Sequence, residues 1–271
     1  MKPRASRRPP GFPAGAGTSS APGAARPAAP LRPQRLLDSA ARDAARLKAP
    51  TGLGLDSGAV RQRMVDRLRQ EGITCNPVFE VMAQVPRHLF VDTALAGQAY
   101  EDTSLPIGLG QTISKPSVVA RMLELLFQGA NARRQQHLGQ VLEIGTGCGY
   151  QAALLAQLGR RVVSVERLAA LFERAQTNLA AWRQDRVRLV HGDGMLGHPP
   201  LAPYDSIIAA AGGAEIPSAW LEQLAIGGRL VAPTQGGSGG QVLVVVDRHS
   251  AGWSRSHHES VHFVPLKSGV T

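Results

Sequence analysis

The chain has 271 residues with 30 Lys and Arg against 20 Asp and Glu, a formal net charge of +10. Seven of the cations (Lys2, Arg4, Arg7, Arg8, Arg26, Arg32, Arg35) fall in residues 1 to 37 among eight prolines and no acid, which leaves +3 for the remainder and argues against a nucleic-acid-binding body. There is no apolar run of transmembrane length, no apolar core of the secretory-signal kind and no disulfide framework in two cysteines, so a soluble, cytoplasmic protein is expected.

Residues 1–55 read as a disordered basic tail, too rich in Pro, Ala and Gly to bury a core. The tail is Arg-rich like an organelle transit peptide, but its prolines oppose the amphipathic helix such peptides form. Residues 56–271 read as one domain. Val60, Met64 and Leu68 recur at helical spacing up to Gly72, and a second helix covers Asn76 to Gln84 before VPRHLF. The stretch YEDTSLPIGLGQTISKP (100–116) reads as an irregular loop, too rich in Gly, Thr and Ser for the core, and 117–128 is helical again. Strands are then expected at 141–144, 161–167, 186–194, 204–212, 228–233, 241–248 and, as VHFVPL, at 261–266. Helices at 150–158, 168–182 and about 218–224 separate the earlier ones. The pattern predicts an α/β, doubly wound, Rossmann-like sheet of about seven strands with N-terminal helices and an antiparallel edge.

The first of these strands runs into VLEIGTGCGYQ (141–151), where Gly145, Gly147 and Gly149 offer bare backbone to a ligand. A dinucleotide fingerprint would need its third glycine where Tyr150 stands, and Glu143 would repel a pyrophosphate. An acid there favours a cationic ligand. S-adenosylmethionine has an ammonium, a sulfonium and a ribose diol but no phosphate, and the E-x-G-x-G-x-G run resembles the first motif of Rossmann-like methyltransferases. Glu166, ending the next strand, can accept from both ribose hydroxyls, and Asp193 in HGDG can accept from an adenine amino group while Gly194 lets the ring lie close. HESVH (258–262) fits the zinc-protease pattern H-E-x-x-H, but as part of a strand it would hold His258 and His262 about 13 Å apart, so no metal is expected.

PIGLGQTISKP (106–116), followed by a helix and the glycine loop, resembles the protein-L-isoaspartate O-methyltransferase family, as do VPRHLFVD, EIPSAW, GGRLVAP and FVPL. The resemblance covers about residues 57 to 267. It implies transfer of a methyl group from S-adenosylmethionine to the α-carboxylate of isoaspartyl residues in damaged proteins and peptides. Separately, a monomer with no specific nucleic-acid partner and no membrane partner is expected. It maps the active-site serine onto Ser114. The cofactor contacts map onto Gln111, Thr112, Ile113 and Ser114, onto the loop of Glu143, Gly145, Thr146, Gly147 and Gly149, and onto Glu166, Asp193 and Gly194. Ser117 stands where some members carry an aromatic residue or His, and Cys148 where a small hydroxyl residue is common. Two alternatives are a methyltransferase for a small molecule or RNA and a non-catalytic adaptor of the same fold; an adaptor would be expected to lose Ser114 or the glycines, and both are present.

Because the tail cannot fold and the resemblance starts beyond it, deleting residues 1 to about 50 should leave methyl transfer to a small peptide unchanged. A large loss of rate in the truncated enzyme would show that the tail contributes to the site.

Overall fold

The computed structural model describes residues 58–180, 185–237 and 239–271, so the expected 1–55 tail and the last residues of the expected 168–182 helix lie outside the described residues. The described residues begin with helices α1 (Gly58–Gln70) and α2 (Asn76–Gln84), whose Met64, Leu68, Val78 and Met82 are buried. Asn76-Pro77 starts α2 with the proline in its first turn, where a missing amide costs nothing. Strands β1 (Leu105–Gly108) and β2 (Gln111–Ile113) form an antiparallel hairpin, and helices α3 (Pro116–Phe127) and α4 (Ala130–Gln135) follow.

The main sheet is built from β3 (Gln140–Ile144), β4 (Arg161–Glu166), β5 (Val187–His191), β6 (Tyr204–Ala209), β7 (Leu224–Gln235), β8 (Gln241–His249) and β9 (Gly252–Val261). Helices α5 (Tyr150–Leu158), α6 (Ala169–Ala180) and α7 (Ser218–Gln223) lie between strands. The spatial order is β5-β4-β3-β6-β7-β8-β9; the first five are parallel, β8 is antiparallel to both of its neighbours, and β9 therefore runs in the same direction as β7. This is the expected doubly wound sheet with an antiparallel edge. Alternation along each strand divides the core. Leu142, Ile144, Val163, Val165, Ile207 and Leu230 pack on one face with Trp220 of α7, whereas Val141, Val162, Ile208 and Val231 join the cluster formed by α1, α2, α3, α5 and α6 on the other. Glu143 follows Val141 to the second face, against α5.

Two expectations need correction. The stretch expected as a polar loop contains the β1–β2 hairpin, with Leu105, Ile107 and Ile113 buried. Its turn, Gly108-Leu109-Gly110, has φ of 92°, 53° and 69°, and the two glycines that permit it had suggested disorder of pattern rather than a tight connection. The last strand is not VHFVPL but GWSRSHHESV, from Gly252 to Val261. As an exposed edge strand it shows no apolar alternation to read. The apolar VPL segment instead crosses the sheet end, where Gly212 donates to the Val264 carbonyl and accepts from the Leu266 amide, both at 2.9 Å. His258 lies on β9 and His262 just past its end, while Glu259 is ion-paired to Arg121 at 2.8 Å.

Candidate active site

From β3 the chain steps outward through β4 to β5 and then returns to β6 on the other side of β3, so the strand order reverses there and opens a crevice at the carboxyl ends of the strands. A cavity occupies that crevice. Its floor and sides come from Ile144 to Tyr150 except Gly149, from Val165 to Leu168, and from Gly194, Ala210 and Ala211. The hairpin contributes Ile107, Leu109 and Gln111, and continues through Thr112, Ile113 and Ser114, while Val264 to Lys267 close the remaining side.

The glycine loop is fixed by the strands on either side of it. Gly145 donates its amide to the Val165 carbonyl at 2.9 Å, and Ala210 donates to the Ile144 carbonyl at 2.8 Å. Gly147 has φ +56 and donates to Glu166 Oε2 at 2.9 Å; the other oxygen, Oε1, accepts from the Leu168 amide at 3.0 Å. Glu166 is therefore an acceptor for two backbone amides, with lone pairs left for a ligand and no ion-pair partner among the described residues.

Glu143 has a different place. It is fully buried and does not line the cavity; Ser164 donates to its Oε2 at 2.5 Å and Gln151 to its Oε1 at 3.0 Å. Ser164 is in turn 2.6 Å from the Thr146 hydroxyl, so the chain Glu143–Ser164–Thr146 ends at the cavity wall, as does Glu143–Gln151. Burial pushes the carboxyl up to about 8, against the pull of Ser164 and Gln151 and with a further push from Glu166. At neutral pH this group is mainly a protonated hydrogen-bonding residue rather than an anion facing a ligand.

Asp193 and Gly149 also lie off the lining. Asp193 accepts from the Met195 amide at 2.8 Å and the Gly269 amide at 2.6 Å. Gly149, with φ +91, begins α5 where a Cβ would come within 3.2 Å of Leu179. Gly194 does line the cavity: a Cβ there would meet Ile144 Cγ2 at 2.7 Å, and its carbonyl accepts from Trp220 Nε1 at 2.8 Å. Gln111, Thr112, Ile113 and Ser114 come together on the hairpin side, and Ser114 leaves its hydroxyl without a protein partner among the described residues. A second cavity adjoins it, lined by Ser114 together with Ser104, Lys115, Ser117, Arg121 and His262. Ser117 begins α3 with its amide and hydroxyl both on Asp102 at 2.8 Å.

Several wall residues escaped the sequence reading. Ala210 and Ala211 directly follow β6, so the rule that ligands lie beyond strand carboxyl ends could have found them. In the sequence Tyr150 speaks only against a dinucleotide site and Gln151 only for a helix, while Leu266 ends the segment expected as the last strand and Lys267 follows it.

Residues 59–271 match the model of the family described as Protein-L-isoaspartate(D-aspartate) O-methyltransferase (PCMT). A protein-L-isoaspartate O-methyltransferase from Methylibium petroleiphilum is 62% identical over 90% of this chain and 90% of its own. That of Leptothrix cholodnii is 59% identical over 89% and 85%. Among solved structures, a protein-L-isoaspartate O-methyltransferase superposes with a TM-score of 0.68 at 27% identity, covering 78% of this chain and 67% of the other. A Plasmodium falciparum protein solved with S-adenosyl-L-homocysteine shares the fold, with a TM-score of 0.67 at 23% identity over 76% and 98% of the two chains.

The buried Glu143 makes stability depend on pH. Between its ordinary 4.5 and about 8 the folded chain holds a proton that the unfolded chain has released, so stability is greatest below the lower value and is lost as pH rises through the upper one. Denaturant midpoints of the wild type should fall from pH 5.5 to pH 8 by more than those of Glu143→Gln, which is neutral throughout. Equal slopes in the two proteins would mean that Glu143 is ionised when folded.

Proposed function

The chain belongs to the protein-L-isoaspartate(D-aspartate) O-methyltransferase family, and on that premise we propose that the crevice between β3 and β6 holds S-adenosylmethionine while Ser114 aligns the acceptor. The activity is transfer of a methyl group from S-adenosylmethionine to the α-carboxylate of L-isoaspartyl residues in damaged proteins and peptides, a repair reaction.

The cavity walls fit that cofactor. Glu166, a carboxylate without a cationic partner among the described residues, suits a ribose diol. Gly194 beside Ile144 gives a flat, apolar seat for adenine. The backbone of Gly145, Thr146 and Gly147 serves the amino-acid end, and Gln111, Thr112 and Ile113 cover it from the hairpin. Three other residues act at one remove. Glu143 works through Gln151 and Thr146, Asp193 by capping the Gly194 turn and anchoring Gly269, and Gly149 by starting α5 close against α6.

When bound, the cofactor supplies an electrophilic methyl group on a sulfonium. The acceptor carboxylate, with a pKa of about 4, is already ionised at neutral pH, so the protein need not remove a proton. What the residues contribute is alignment and the exclusion of water. Ser114 donates a hydrogen bond to one carboxylate oxygen and leaves the other free to react. Lys115, its neighbour, is held by Asp102 at 3.3 Å rather than serving as a base. The observation that carries this reading is that Ser114 borders both cavities, so an acceptor reaching the cofactor side keeps its flanking peptide in the second.

We place this activity in the cytoplasm, in a monomer that binds damaged proteins and no nucleic acid. Support comes from the two free thiols, Cys75 and Cys148, which suit a reducing compartment, and from the nearly balanced charge of the body.

Labelled methyl transfer to an isoaspartyl peptide and to its aspartyl twin tests the activity: label should enter only the first, and equal labelling would overturn the substrate assignment. Ser114→Ala should lower turnover about ten- to a thousandfold, the range for one lost transition-state hydrogen bond, with a far smaller change in cofactor affinity. Full turnover with cofactor binding abolished would make Ser114 a cofactor ligand only.

A further inference from the structure

Arg87 sits in a 3-10 turn, Arg87–Phe90, and is fully buried without lining the cavity. Its Nε donates to the Ala99 carbonyl and its Nη2 to the Ser114 carbonyl, both at 2.7 Å. The guanidinium carbon stands 4.9 Å from the ring centroid of Tyr150, the residue at which the glycine loop becomes α5. One planar cation thus joins the segment before the hairpin, the loop after it and the helix that the cofactor loop begins.

Burying that charge is unfavourable. No carboxylate is ion-paired with it among the described residues, Nη1 has no partner, and desolvation lowers its pKa, with nearby groups such as Tyr150 and Asp102 opposing. An apolar side chain of similar volume would fill the space at less cost if filling were the whole purpose. What a guanidinium adds is a rigid fork that holds two carbonyls at set positions, which neither an ammonium nor a thioether can reproduce. The far side of Ser114 is also held, because Asp102 grips both the amide and the hydroxyl of Ser117 at 2.8 Å. Ser114 therefore lies between two anchored points, one on its own carbonyl and one three residues on.

We propose that Arg87 is a positioning residue for methyl transfer: by clamping the Ser114 carbonyl it sets the direction in which the Ser114 hydroxyl faces the acceptor, without itself touching either reactant. The proposal rests on the assignment of Ser114 to the acceptor carboxylate.

The test is a double-mutant cycle in the full chain. Arg87→Lys keeps the charge but not the fork, and Arg87→Met keeps only the volume; each is used only if its circular dichroism spectrum matches the wild type, so that one failing to fold leaves the other to be read. Turnover on the isoaspartyl peptide should fall about a hundredfold, the cost of misplacing a group by about an ångström. The S-adenosylhomocysteine Kd measured by calorimetry should stay within about threefold, because the lost interaction acts on turnover rather than on cofactor binding. In a Ser114→Ala background the same substitution should cost almost nothing, since there is no hydroxyl left to aim. Turnover and cofactor affinity falling together, unchanged turnover, or a cost that adds fully to that of Ser114→Ala would each overturn the proposal. The wild-type rate on the peptide and the Ser114→Ala single variant report separately on the activity and on the serine, so their failure is distinguishable from failure of the clamp.

Discussion

One carboxylate and two backbone amides determine the shape of the cavity. Glu166, at the carboxyl end of β4, takes the Gly147 amide from the loop after β3 and the Leu168 amide from the turn into α6. Hydrogen bonds to a charged group are worth about 1.5 to 3 kcal/mol each, enough to hold a loop in a left-handed conformation that only glycine adopts freely. The same contacts keep the carboxylate at the cavity wall. Were Glu166 matched by a cation, the loop could still be held, but the carboxylate would no longer be open to the proposed diol.

The remaining parts follow from where that crevice opens. The β5-β4-β3-β6 order puts the gap beside β3, and the hairpin and the crossing segment at Val264 to Leu266 supply the walls that the strand ends cannot. Buried polar groups then brace the cavity walls from behind. Glu143 props Gln151 and, through Ser164, Thr146; Trp220 holds the Gly194 carbonyl; Arg87 holds that of Ser114. Each such group is satisfied chiefly by hydrogen bonds inside the protein, which favours one arrangement of the cavity over many.

The fold was legible in the sequence wherever strands are buried on both sides, since VLEI, RVVSVE and YDSIIA are nearly continuous apolar runs. It was not legible at the edge. Gly252 to Val261 carries polar residues on an exposed strand, and the apolar VHFVPL beside it read as the better strand because hydrophobicity marks burial and not pairing. In the cavity wall, Glu166, Gly194, Gly145 and Gly147 could be anticipated from their places at or after the ends of successive strands. The burial of Glu143 could have been foreseen from alternation alone, since it shares a face with Val141, but a charged residue beside a glycine loop invites the assumption that it meets the ligand. Arg87 stands in VPRHLFVD, a motif of the resemblance, but nothing there marks it as part of the site, because an arginine after a proline is ordinarily a solvated one.

The central claim, that the crevice at Glu166 binds the cofactor through its ribose hydroxyls, is tested most directly by calorimetry with S-adenosylhomocysteine and its 2′,3′-dideoxy analogue on the wild type and on Glu166→Gln. The wild type should prefer the hydroxylated ligand by about ten- to a hundredfold, corresponding to roughly 1.5 to 3 kcal/mol for hydrogen bonds to a carboxylate, and that preference should collapse in the variant. A variant that still discriminates between the two ligands as the wild type does would contradict the claim and leave Glu166 as a loop anchor alone.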